Sequence, residues 1–144
     1  MHAHFHILTT SDDQHYLSFI RDLIFKYYQK NYTVLVYGGL ALCQKLDHLL
    51  WFHGKDTFIP HAILHDHDKK DWVFLPILLV NNWICLNRLK KDYIINLSTE
   101  NIEELHLCRT LVRVSDYNQS RISYTRCYYR DLRKNGYSIK VYKY

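Results

Sequence analysis

Glycine and proline are scarce in this chain, with four and two among 144 residues. Chain breakers that few leave no room for a flexible linker, and no repeat or low-complexity tract is present either. Long apolar runs are missing as well. The longest, such as WVFLPILLV, is far too short to cross a bilayer, so no membrane-spanning segment is expected. The four cysteines, Cys43, Cys85, Cys108 and Cys127, include no CxxC pair. The opening MHAHFHILTT has no charged start followed by a long apolar stretch, so it does not read as a leader. Reduced, mostly buried thiols in a cytoplasmic protein are therefore the expectation. Neither GxGxxG nor GxxxxGK[ST] occurs, so backbone amides are not arranged to cradle a pyrophosphate. No GxSxG elbow is found, and no Cys or Ser stands in a recognisable base context.

What remains is an ordinary globular composition. The apolar fraction is 48% and the charged fraction 23%, enough for one domain over residues 1–144 with a real core. The formal charge of +5 favours acidic partners: nucleic acid, an anionic surface or an acidic peptide.

Strand-like and helix-like patterns take turns along the chain. HAHFHIL alternates from His2 to Leu8, with Ala3, Phe5 and Ile7 on one face and His2, His4 and His6 on the other. Asp12 to Lys30 reads as a helix with a stripe of Tyr16, Phe19, Ile20, Leu23 and Tyr27. YTVLVYGG reads as a buried strand, and Leu40 to Leu50 as a second helix turning Leu42, Leu46, Leu49 and Leu50 inward. Further strands are expected in WVFLPILLV, where Pro76 makes an edge strand or a split, and in DYIINLS and RTLVRVS. A helix is expected to open at Thr99, and a last one from Asp116 to Asn135, closed by Gly136. YSIKVYKY is a terminal strand or tail. This alternation predicts an α/β fold with a largely parallel or mixed sheet flanked by helices.

Metal and catalysis find little support. His61, His65, Asp66, His67 and Asp68 cluster in what reads as a polar turn, and His2, His4 and His6 share a strand face. A designed zinc site needs a closed set or a supported open one, so both are read as His-rich surface. No catalytic residue, metal or cofactor is expected.

Two stretches stand apart. On a helical wheel Tyr117, Tyr124, Tyr128 and Leu132 form a core-facing stripe. Arg126, Arg130 and Arg133 fall opposite, flanked by Ile122 and Tyr129. Guanidinium groups beside apolar surface suit an anionic partner that also carries a hydrophobic group, though a solvated basic face or a single-stranded nucleic-acid site fits too. The other is LLWFHGKDTFIPHAIL, residues 49 to 64, which gathers Trp51, Phe52 and Phe58 around one glycine and one proline. Such a loop is either pinned into the core or presents aromatics to a partner.

Together these stretches resemble the chi subunit of bacterial DNA polymerase III, an accessory protein of the clamp-loader complex. The resemblance is carried by KLDHLLW leading into FIPH, that is Trp51, Phe58, Pro60 and His61, and by RCYYRDLRKNGY near the end. It implies a fold like a mononucleotide-binding (Rossmann-like) domain without a phosphate loop or catalysis. It also implies two partners: the psi subunit, and the acidic, phenylalanine-ended C-terminal tail of single-stranded DNA-binding protein, so that DNA is contacted only indirectly. On this basis Trp51, Phe52, Phe58, Pro60 and His61 are expected at a psi interface. Ile122, Arg126, Tyr129 and Arg130 are expected at the tail site, with Arg121 and Arg133 beside them. Ile122 stands where the family can carry lysine, and Ser115 replaces an apolar residue at the pocket edge. The alternative is a direct single-stranded nucleic-acid binder or a nucleotide-binding protein.

Overall fold

Runs such as Val34–Tyr37 and Ile77–Val80 offer no polar side chain to water, and both lie inside one sheet, buried on both faces. In the computed structural model, which describes residues 1–52, 58–64, 74–82, 90–99 and 108–144, seven strands form this sheet. They are β1 (His2–Ile7), β2 (Val34–Tyr37), β3 (His61–Leu64), β4 (Ile77–Val80), β5 (Lys91–Asn96), β6 (Cys108–Ser115) and β7 (Ser138–Lys143). The spatial order is β3-β4-β2-β5-β6-β1-β7, and every pairing is parallel. Helices α1 (Asp13–Gln29) and α2 (Leu40–Trp51) follow β1 and β2, and α3 (Gln119–Lys134) joins β6 to β7. The expected α/β architecture, Rossmann-like in outline, is the one observed.

Strand periodicity assigns the two faces. Val34, Val36, Ile77, Leu79, Ile95, Val112 and Val114 pack with Ile20, Ile24, Leu46 and Leu50 of α1 and α2. Ala3, Phe5, Leu35, Leu78, Ile94 and Leu111 pack with Tyr128 and Leu132 of α3. Local chemistry sets the helix ends. The Asp12 carboxylate accepts from Gln14 N–H at the start of α1, and Asn118 accepts from the Ser120 and Arg121 amides at the start of α3. Asn31 and Gly136, with φ of 62° and 81°, carry the chain out of α1 and α3. Gly38 serves packing at the strand-to-helix turn, where a Cβ would stand 2.9 Å from Leu42 Cδ2.

Several expectations are corrected. Pro76 does not place its strand at an edge: β4 lies between β3 and β2, and it begins just after the proline, whose carbonyl accepts from Val34 N–H at 2.8 Å. Residues 61–64, read as loop, form the edge strand β3; four residues are too few to show a period. Helix α3 starts at Gln119 rather than Asp116. Its buried stripe is Thr125, Tyr128 and Leu132, while Tyr117 and Tyr124 are about half exposed. The cause lies on the sheet: buried Arg113 needs acceptors, and its Nε–H donates to Thr125 Oγ1 at 3.1 Å, turning that side of α3 inward. Cys43 is buried and Cys108 half-buried, but Cys127 is exposed. Cys85, most of the helix expected after Thr99, and His65, Asp66, His67 and Asp68 lie outside the described residues. Among the described residues no group of three or more His, Cys, Asp or Glu could hold a metal ion. Nor is any described helix long and apolar enough to cross a membrane.

The histidine face of β1 is solvated only at its start. His6 is 5% exposed, its ring stacked on Tyr142 at 4.9 Å and its Nδ1 2.9 Å from the Tyr144 hydroxyl. Burial, then the charges of His4 and Lys26, hold its pKa down to about 4 from 6.5. The unfolded chain therefore takes up this proton first as the solution is acidified. Stability from neutral His6 is complete above pH 6.5 and is lost as pH falls towards 4. A loss of about 3 kcal/mol across that window is expected in urea unfolding. His6→Phe should flatten the profile there; an equally steep profile in the variant would assign the effect to other groups.

Candidate functional site

The sequence alternation that sends Phe5 and Ile7 to one face of β1 does the same for Val141 and Lys143 of β7, which pairs with β1 in parallel register. Helix α3 crosses this face only part of the way. Between the helix and the two strands a groove of about 530 Å³ is left open. Phe5, Ile7 and Val141 form its apolar floor, and Tyr117, Ile122, Thr125, Arg126, Tyr129 and Arg130 line the helix side, with Lys143 at the strand side. Tyr129 is held edge-on to Phe5, with ring centroids 5.6 Å apart at 83°. No described lining residue is acidic. Arg126 and Arg130 are exposed and make no ion pair with the described residues. The groove can therefore take an apolar group on its floor while guanidinium groups meet an anion at its rim.

Four of the six residues expected at a tail site, Ile122, Arg126, Tyr129 and Arg130, thus meet in one groove. Arg121 does not line it. Its Nε and Nη2 donate to both oxygens of Asp116 at 2.9 Å, Nη2 also reaches Asp13 at 2.7 Å, and the guanidinium lies 4.3 Å over the Tyr16 ring. These bonds raise the Arg121 pKa further. For buried Asp116, burial alone would raise the carboxyl pKa, but the Arg121 and Asn118 hydrogen bonds reverse this and hold it below the ordinary value. Arg121 thereby fixes the entry of α3 onto the sheet. Arg133 is exposed, away from the lining, and Ser115 is buried, its hydroxyl donating to Asp116 O. Sequence reading missed Phe5, Ile7, Val141 and Lys143, because nothing local says that the first and last strands are neighbours; it also missed Thr125, and Tyr117, which the helical wheel puts on the core-facing stripe.

A second surface lies at the opposite edge of the sheet. Trp51 ends α2 and is more than half exposed, like Phe58, whose ring is 5.6 Å away. His61 is buried beneath, 5.0 Å from the Trp51 ring; its Nδ1–H donates to Ile59 O at 2.6 Å and its Nε2 stands 3.0 Å from Asp47. Pro60 is half-buried between them, and Phe52 is 73% exposed. Phe74, which sequence reading passed over, is 85% exposed. Phe58 and Phe74 each stand three residues before the paired positions His61 and Ile77, so both mark the same end of β3 and β4. Large exposed aromatics gathered in this way form an apolar patch of the kind that a partner can cover. Trp51→Ser and Phe58→Ser should each leave unfolding free energy within about 0.5 kcal/mol of the parent. A loss of about 2 kcal/mol in urea unfolding would instead make them core residues.

The fold and its sites define a Rossmann-like α/β protein without a phosphate loop, carrying a cation-rimmed apolar groove at one edge and exposed aromatics at the other. The sequence matches the family described as DNA polymerase III chi subunit, HolC, over residues 1–140. The chain belongs to that family, an accessory-subunit family of the replicative polymerase, and its role is in DNA replication. The comparison with curated proteins gives no significant match.

Proposed function

We propose that the chain is a non-catalytic cytoplasmic adaptor of the DNA polymerase III holoenzyme. The groove receives the acidic, phenylalanine-ended C-terminal tail of single-stranded DNA-binding protein, and the aromatic surface around Trp51, Phe52 and Phe58 receives the psi subunit, linking the tail to the clamp loader. The observation that carries this reading is the groove itself: an apolar floor of Phe5, Ile7 and Val141, guanidinium groups at the rim with no ion pair to a described residue, and no acid among the described lining residues. Arg126 and Arg130 would pair with carboxylates, while Ile122 and Tyr129 would hold the aromatic ring. No cofactor is called for, and DNA would be reached only through the tail.

A labelled peptide of acidic residues ending in phenylalanine, followed by fluorescence anisotropy, tests the reading. Saturable binding is expected, weakening as salt rises because exposed charges are screened. A single-stranded oligonucleotide should not bind at the same concentrations. Oligonucleotide binding without peptide binding would make the chain a direct nucleic-acid binder.

A further inference from the structure

β7 is the last strand of the sheet, and among the described residues only one of its sides is paired. Ser138 N–H donates to Met1 O, and Tyr144 N–H, just past the strand, donates to Ile7 O, both at 3.0 Å. Backbone direction alternates along a strand, so Lys140 and Tyr142 share this orientation toward β1. Ile139, Val141 and Lys143 consequently turn their N–H and C=O groups to the open edge. The same alternation carries the side chains of Val141 and Lys143 into the groove. An unpaired backbone edge and the cation-rimmed groove therefore meet along one strand. Lysines on an edge strand normally discourage a further strand. Here Lys140 and Lys143, with Arg126 and Arg130 nearby, would repel a basic segment and attract an acidic one.

We infer that the acidic segment preceding the phenylalanine lies extended along β7 as an eighth strand, hydrogen-bonded to Ile139, Val141 and Lys143. This rests on the tail-receptor reading above and adds main-chain pairing to it. The pairing explains how a peptide of repetitive acidic sequence is held in one register. Side-chain charge alone would let it slide.

The test is a single-site N-methylation scan of a six-residue acidic peptide ending in phenylalanine, which removes one backbone donor at a time. Affinity should fall tenfold or more at every second position and stay within about twofold between. Amide exchange gives a readout on the protein: saturation with the parent peptide should slow Ile139, Val141 and Lys143 at least tenfold, leaving Lys140 and Tyr142 as they were. Full binding with a flat methylation profile and no change in those three amides overturns the strand proposal and leaves the groove reading standing. Failure of the unmethylated peptide to bind removes both.

Discussion

Replacing Arg126 by alanine should weaken binding of an acidic, phenylalanine-ended peptide by about 10- to 100-fold, the loss of 1.4 to 2.8 kcal/mol expected for a charge-assisted contact beside an apolar pocket. Arg126 lines the groove and has no ion-pair partner among the described residues, so its removal leaves no buried carboxylate behind. The thermal midpoint should therefore stay where it is. Arg130→Ala should act in the same direction. Arg133→Ala, on the same helix but off the groove, should change affinity by less than twofold. The same holds for Arg21→Ala, whose guanidinium is on α1 and bonded to Asp22 at 3.0 Å. Arg126→Glu should abolish binding by placing a like charge at the rim. Equal losses for Arg126→Ala and Arg21→Ala in a peptide titration would mean that net charge, and no defined pocket, governs binding.

Arg121 is expected to matter for a different reason. Arg121→Met strips both donors from Asp116, which is fully buried, and leaves its charge with little more than the Asn118 N–H at 3.1 Å. Breaking a buried pair from one side costs about 3–5 kcal/mol, far more than a surface pair is worth. The bond to Asp13 adds little, because that carboxylate is largely exposed. Two controls identify the cause. Asp116→Asn together with Arg121→Met should recover much of the loss, since no charge is then buried. Acidification should also narrow the gap between variant and parent. In the parent, Asp116 has a folded pKa below its ordinary value, so the pair's stability is full above that ordinary value and fades as pH falls through the folded one. In the variant, protonation relieves the stranded carboxylate instead. Urea unfolding at neutral and acid pH measures both effects; a loss below 1 kcal/mol at neutral pH would contradict the account. Any fall in peptide affinity should track loss of fold, because Arg121 acts by seating α3.

The parts of this protein legible in its sequence are those with long or clean periods. The stripe of α1 could be read because Tyr16, Ile20, Leu23 and Tyr27 recur at helical steps, and the parallel sheet because VLVY and ILLV have no polar side. The outward arginines of α3 were legible for the same reason. Its inward stripe was not: Tyr124 fits the wheel as well as Thr125, and only buried Arg113, a sheet residue eleven positions before Tyr124, decides between them. Arg121 looked like one more basic rim residue, because its partner Asp116 reads as part of the helix until the cap is seen to be Asn118. The strand floor of the groove required knowing that β1 and β7 are neighbours, a fact of topology with no local signal. Phe74 escaped notice inside WVFLPILLV, a run read as an edge or split strand, yet it stands just outside β4.

The two surfaces lie at opposite edges of a seven-stranded sheet, β7 for the groove and β3 for the aromatics, roughly 30 Å apart at the usual spacing between strands. Partners at such a distance need not compete, which is what an adaptor requires. The most direct test is therefore sedimentation velocity of the chain mixed with the psi subunit and a fluorescent tail peptide, the label followed alone. The account predicts that the peptide sediments with the heavier complex of chain and psi, and that Arg126→Glu releases the peptide while psi stays bound. If psi displaced the peptide, or if the peptide were carried equally well by the variant, the account of two independent surfaces would be contradicted.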